Sequence, residues 1–151
     1  MSGTLRPPDT RLSADERWLQ AAQLLANMSS CERKKVGCLL LTTDGRHFVG
    51  YNRLAYHSTA CKCEDNNVTR GDVLHAEEVA IISAIHEGAN LVNSEVVCSC
   101  SPCLHCAAIM SEVGVRRVVY GELYRNDDGL KFLQDAGIEV VRYEQNICDK
   151  S

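Results

Sequence analysis

Between Ser94 and Tyr143 the chain passes from strand to helix to strand to helix to strand, and this alternation constrains the fold more than any other feature. Ser94–Cys100 is β-rich, Cys103–Val113 is helical, Arg116–Tyr120 is a strand, Asp127–Ala136 is a helix closed by Gly137, and Ile138–Tyr143 is a last strand. Strands joined through helices lie parallel in one sheet. The first half reads differently. Ser13-Ala-Asp-Glu16 is a capping box opening a helix whose Trp18, Leu19, Ala22, Leu25 and Ala26 recur at helical spacing to about Met28. Val36–Leu41 and His47–Tyr51 flank Asp44-Gly45, a hairpin signal. Residues 52–72 are polar and rich in His, Cys and Asn, a functional loop. Ala76–His86 is apolar nearly all round and therefore predicted to be a buried helix, ended by Gly88. The order α-β-β-α-β-α-β-α-β predicts an α/β fold in three layers, a mixed five-stranded sheet with helices on both faces. We expect a single domain over 13–146, a flexible arm over 1–12 and a short tail over 147–151.

At 151 residues the chain can bury a core without disulfide help. No apolar run approaches the ~18–20 residues of a membrane span, and the N-terminus lacks the apolar stretch of a signal peptide. A cytoplasmic protein is expected, with its nine cysteines as thiols or metal ligands rather than disulfides. The net charge of −4 argues against a broad nucleic-acid-binding face. The local basic cluster Glu32-Arg-Lys-Lys35 could still meet one phosphate.

The stretch Cys98-Ser-Cys-Ser-Pro-Cys-Leu-His-Cys106 offers two overlapping C-x-x-C pairs. Pro102 suits the first position of a helix, so Cys103 and Cys106 are expected on its first turn and one face, with Cys100 still on the strand beside Cys98. His75-Ala-Glu77 opens the preceding helix. Two helix N-termini that approach each other can bring His75, Cys103 and Cys106 to one point, and their dipoles favour thiolates there. A His/Cys/Cys set leaves a fourth tetrahedral position open, the mark of a catalytic rather than a structural zinc. Glu77 is then placed to handle protons, and Glu78 to face solvent or support the site. The reading from another class is a non-enzymatic zinc-stabilised interaction module closed by Cys100 or His105, in which Glu77 has no purpose.

The pattern H-x-E followed by P-C-x-x-C resembles the signature of zinc nucleobase deaminases. The chain resembles the cytidine deaminase-like superfamily and, within it, the deoxycytidylate (dCMP) deaminase family. Cys31-Glu-Arg-Lys-Lys-Val-Gly37 is similar to that family's entry into the first strand, and Gly50-Tyr-Asn52 to the close of the second. Gly114–Tyr120, Tyr124 and Ala136-Gly-Ile138 resemble its distal elements, so the likeness runs from about residue 13 to 143. The resemblance implies zinc-dependent hydrolysis of dCMP to dUMP and ammonia, supplying dUMP for dTMP synthesis. Zinc on His75, Cys103 and Cys106 would ionise a water near neutral pH. Glu77 would take its proton and pass it to the ring and the leaving ammonia. The Ala76 N–H would bind the pyrimidine carbonyl, the Ser101 carbonyl the amino group, and Asn52 a sugar hydroxyl, with Tyr124 lining the pocket. Arg33, Lys35, His86 and Arg125 are the candidates for the phosphate.

Some members of that family carry a second, structural zinc, for which Cys31, His57, Cys61 and Cys63 are this chain's candidates. Cys38, Cys98, Cys100 and Cys148 read as small apolar residues. Two departures stand out. Many relatives continue after Gly-Tyr-Asn with Gly and Pro, in a segment tied to allosteric control by dCTP and dTTP, where this chain has Arg53-Leu-Ala-Tyr-His57. Val79 stands where the HAE helix usually has asparagine. The alternatives are deaminases of free nucleosides, of modified nucleotides such as 5-methyl-dCMP, or of tRNA adenosine, the last disfavoured by the acidic charge. The family also implies a homo-oligomer.

Overall fold

A computed structural model describes residues 12–55, 63–65 and 68–143. The first helix, α1 (Ala14–Ala26), opens on the expected capping box. The Glu16 N–H donates to Ser13 Oγ at 3.1 Å, and the Ser13 N–H to the Glu16 carboxylate at 2.9 Å. Strands β1 (Gly37–Leu41) and β2 (His47–Tyr51) form the expected hairpin, with Gly45 at φ +87° in its turn.

The segment read as an irregular loop contains two small ladders. Strand β3 (Arg53–Leu54) pairs with β6 (Val73–Leu74), and β4 (Glu64–Asp65) with β5 (Val68–Thr69). Two-residue pairings carry no alternation long enough to be seen as a pattern, which is why the sequence hides them. Helix α2 (Ala76–His86), β7 (Glu95–Cys100), α3 (Leu104–Val113), β8 (Arg117–Glu122), α4 (Asp128–Asp135) and β9 (Glu139–Arg142) complete the order.

The sheet runs β2-β1-β7-β8-β9. Strand β1 is antiparallel to both neighbours, and β7, β8 and β9 are parallel. Alternate residues of the central strands face opposite layers. Leu39, Val97 and Val119 pack under α1 with Leu19 and Ala22, while Leu40, Val96, Val118 and Tyr120 pack with residues of α2, α3 and α4. Fully burying one such Leu or Val is worth ~1.5–3 kcal/mol, so the two cores close the three layers. A close approach sets where α2 begins. A Cβ on Gly50 of β2 would stand 2.3 Å from the Ala76 carbonyl oxygen and 2.7 Å from the Ala80 nitrogen, so only glycine lets the first turns of α2 lie on the strand.

Three expectations are corrected. Helix α2 is not buried all round: Ala76, Ala80, Ile81 and Ala84 face the core, but Ile82 and Ile85 are more than half exposed. Pro102 precedes the N-cap instead of opening α3, because Cys103 keeps extended backbone (φ −74°, ψ 170°) and the helix starts at Leu104. Cys31 and Cys63, expected as thiols or as ligands of a second zinc, are joined in a disulfide. Sulfurs bonded to each other are not thiolates and cannot bind zinc as such. His57, Cys61 and Cys148 lie outside the described residues, as do the tail over 147–151 and all of the arm except Leu12. Among the described residues no helix is long and apolar enough to cross a membrane.

Candidate active site

The two convergent helix starts are present. His75 is the N-cap of α2 and Cys103 the N-cap of α3, both in extended backbone, and Cys106 follows in the first turn of α3. His75 Nδ1 lies 3.2 Å from Cys106 Sγ and 3.6 Å from Cys103 Sγ. All three donor atoms fall within 4.8 Å of one another. One imidazole nitrogen and two sulfurs are a donor set suited to zinc, and three donors leave one tetrahedral position for a further ligand. Cys106 is buried, whereas His75 and Cys103 are half-buried and line a cleft of about 330 Å³, so the open side of the cluster faces the cleft.

The cluster is poised electrostatically. Hydrogen bonding to Cys106 and the neighbouring His75 hold the Cys103 thiol down at about 3 against the cost of its burial. The same Cys103 lifts His75 to about 9 and pushes the Cys106 thiol upward. The backbone behind Cys103 is pinned from α4. A Cβ on Gly129 would lie 2.2 Å from the Pro102 carbonyl oxygen and 2.9 Å from the Cys103 carbonyl carbon, so α4 packs directly on the peptide that carries Cys103.

Glu77, on the first turn of α2, is 5% exposed yet also lines the cleft. Burial raises its carboxyl to about 7, where it can both accept and return a proton. Glu78 has another task. Its Oε1 accepts from the His75 N–H at 2.8 Å, capping α2, and its Oε2 lies 3.4 Å from His105 Nε2. His105 points outward with 70% of its side chain exposed, and Cys100 lies outside the three-donor group, so neither closes the site among the described residues.

Asn52, Ala76, Ser101 and Tyr124 all line the same cleft. Ala76 is the first residue of α2, and first-turn N–H groups have no partner within their helix. Asn52 is engaged on both ends of its amide: Oδ1 accepts from the Val36 N–H at 2.9 Å, and Nδ2 donates to the Lys34 carbonyl at 2.7 Å. It therefore holds the basic 34–36 segment to the cleft wall. Ser101 Oγ accepts from the Tyr124 N–H at 2.7 Å, and the Arg125 guanidinium stacks over the Tyr124 ring at 5.2 Å.

The phosphate candidates divide. Arg33 and Arg125 line the cleft. Lys35 does not, and its amine donates to the Ser29 carbonyl at 2.5 Å. His86 is also corrected. It ends α2, ten residues beyond Ala76, and at ~1.5 Å per residue that is about 15 Å from the site, on a separate groove with Val49, Val79 and Ile82. Lys34, which the sequence offers only as part of the basic run, lines the cleft and forms an ion pair with Glu122 at the end of β8. Its place in Arg33-Lys-Lys35 is the one signal for it, and that run does not say which of the three cations reaches the cleft. Glu64 was missed. It accepts from the Glu32 and Arg33 N–H groups at 3.2 and 3.4 Å, tying the β4 ladder to the basic segment, and nothing in its sequence surroundings marks it.

Comparison with known proteins agrees with this geometry. Deoxycytidylate deaminase of Saccharomyces cerevisiae is 32% identical over 146 residues, covering 90% of this chain and 46% of the relative. That of Schizosaccharomyces pombe is 30% identical over 151 residues, covering 92% and 47%. The chain thus spans about half the length of these two curated relatives. The crystal structure of dCMP deaminase from the cyanophage S-TIM5, in complex with dCMP and dUMP, superposes with a TM-score of 0.81 at 30% identity, over 92% of this chain and 100% of that one. Residues 12–122 match the family described as the cytidine and deoxycytidylate deaminase zinc-binding region. With its His/Cys/Cys cluster and buried glutamate on two facing helix starts, the chain belongs to the cytidine and deoxycytidylate deaminase zinc-binding family.

Proposed function

We propose that the protein deaminates dCMP by hydrolysis, giving dUMP and ammonia. The observation that carries this reading is a buried, cleft-facing carboxyl, Glu77, beside a three-donor zinc cluster that opens onto the same cleft. Support for the nucleotide comes from the cyanophage structure with dCMP and dUMP, all of whose length this chain covers. His75, Cys103 and Cys106 would hold the zinc, which when bound would supply a water that ionises near neutral pH. Glu77 takes one proton of the water as its oxygen adds to C4 and delivers it to N3, then carries the second from the new C4 hydroxyl to the amino group, so that the C4–N bond breaks, the C4 carbonyl forms and ammonia departs. The Ala76 N–H orients the pyrimidine carbonyl, and Ser101 orients the amino group. Tyr124 closes the wall of the pocket, and Asn52 holds the 34–36 segment that brings cations to the cleft. Arg33 and Arg125 take the 5′-phosphate.

The finer expectations belong to the same reading. A homo-oligomer is supported by the exposed apolar face of Val49, Ile82 and Ile85. A cytoplasmic site would keep Cys31 and Cys63 reduced, so a free-thiol count on freshly extracted protein tests location and disulfide together. The deciding experiment is ammonia release from dCMP, CMP, deoxycytidine, 5-methyl-dCMP and dCTP, with and without dTTP. Preference for dCMP is expected, and indifference to the phosphate would overturn the substrate. Preference for 5-methyl-dCMP would move the reading to a modified-nucleotide deaminase.

A further inference from the structure

On the core side of Glu77 stand two thiols that the proposed chemistry does not use. Cys98 on β7 and Cys38 on β1 are directly opposite in the antiparallel register. Their sulfurs are 4.0 Å apart, and Cys98 Sγ is 3.8 Å from Glu77 Oε2. Both side chains are almost wholly buried, at 0% and 1% exposure, and Cys38 in turn reaches the Leu39 carbonyl at 3.8 Å. The sequence reading of these cysteines as plain packing residues is therefore incomplete. The same face of β7 carries Val96, and Val118 stands beside it on β8. A β-branched apolar residue is the ordinary filling for such a strand position. At residue 98 the chain instead has a donor, directed at a buried carboxyl.

We propose that Cys98 is a positioning residue for Glu77: its S–H donates to Oε2 from the core side and sets the carboxyl to face the cleft, with the Cys38 thiol bracing it from behind. Besides Cys98, the Glu77 carboxyl takes a hydrogen bond from its own backbone N–H, which moves with the residue and leaves most of the cost of desolvation in place. A donor on the core side offsets part of that cost and favours one setting of the carboxyl, without entering the cleft. The neighbouring Cys38 and burial together push the Cys98 thiol well up, so it keeps the proton it donates. The catalytic half of the inference rests on the deaminase reading. The contact itself does not.

The test compares two replacements of Cys98, one that keeps a donor and one that does not. Cys98→Val should lower kcat for dCMP roughly three- to tenfold, the worth of one hydrogen bond, while KM stays within about twofold. Cys98→Ser should retain most of the wild-type kcat. In the infrared, the S–H band identified by its loss in Cys98→Val should move to higher frequency in Glu77→Gln, where the acceptor is a neutral amide. Equal kcat losses in the Val and Ser variants, or no loss in either, would remove the positioning role. An S–H band indifferent to Glu77→Gln would remove the contact. A wild-type protein inert toward every cytosine nucleotide would defeat the deaminase reading and the catalytic half with it, and the infrared measurement would still decide whether Cys98 holds Glu77.

Discussion

The two ends of the parallel strands are built on opposite electrostatic plans. At their amino ends, Arg117 of β8 meets Asp15 of α1 through two hydrogen bonds of 2.9 and 2.6 Å, Glu95 of β7 at 3.6 Å and Glu139 of β9 at 3.4 Å. Tyr143 adds its hydroxyl to Asp15 at 3.3 Å. Each charge there has a partner within the chain, and the guanidinium keeps the Asp15 carboxyl below its ordinary 3.8. At the carboxyl ends, His75, Cys103, Cys106 and Glu77 crowd together, and each is displaced from its ordinary ionisation. The His75 ring contacts both sulfurs, and three of the four groups, His75, Cys103 and Glu77, open onto the cleft. One end spends its charges on holding the fold, and the other holds them ready for chemistry, as perturbed groups in a cleft often are.

The sharpest break of this comparison is Glu77→Gln. It should lower kcat for dCMP by ~10²–10⁴-fold, the worth of a general acid–base group. Because it removes a buried carboxyl raised to about 7, it should leave the melting temperature unchanged or higher. A fall in both, read by calorimetry beside the ammonia assay, would mean that Glu77 also holds the fold. Next in size, Gly129→Ala should weaken zinc roughly 10–100-fold, as changes behind a ligand do, measured by competition with a chromophoric chelator. Gly71→Ala, whose Cβ meets nothing within 4 Å, is the control.

The opposite end should answer in stability alone. Asp15→Asn should cost ~1–2 kcal/mol, a fall in melting temperature of about 3–6 °C for a chain of this size, with zinc affinity and kcat intact. Since the folded Asp15 pKa is below 3.8, its contribution is present above that value and lost as pH falls through the lowered one. The melting difference between wild type and variant should therefore be flat near neutrality and shrink below about pH 4. A difference that persists undiminished in acid would show that the pair acts by packing.

Much of this arrangement was legible in the chain. Helical spacing located α1, and short apolar or β-rich runs bounded by turn signals located the strands of the five-stranded sheet; along β1 Cys38 and Leu40 face one core and Leu39 and Leu41 the other. The cluster of His75, Cys103 and Cys106 was readable because its members fall at the starts of two helices. What escaped depends on contacts between distant segments. The Cys31–Cys63 disulfide links residues 32 apart in sequence, and the Lys34–Glu122 pair joins a loop to a strand 88 residues on. His86 failed for a geometric reason: a helix that begins at the site must end far from it. The exposed Ile82 and Ile85 show the limit of composition, since a helix apolar on every side states only that it needs covering, not by what.

Gly50 and Gly129 bear on how this chain can vary. Each sits where another segment's backbone fills the space of a methyl group, one beneath the helix carrying His75 and Glu77 and the other behind Cys103. Glycine and alanine codons differ by a single base, so these are among the easiest changes for replication error to make and among the hardest for the active site to absorb. A survey of naturally arising variants should find both positions barren of substitutions, although neither residue lines the cleft and neither has any side chain with which to act.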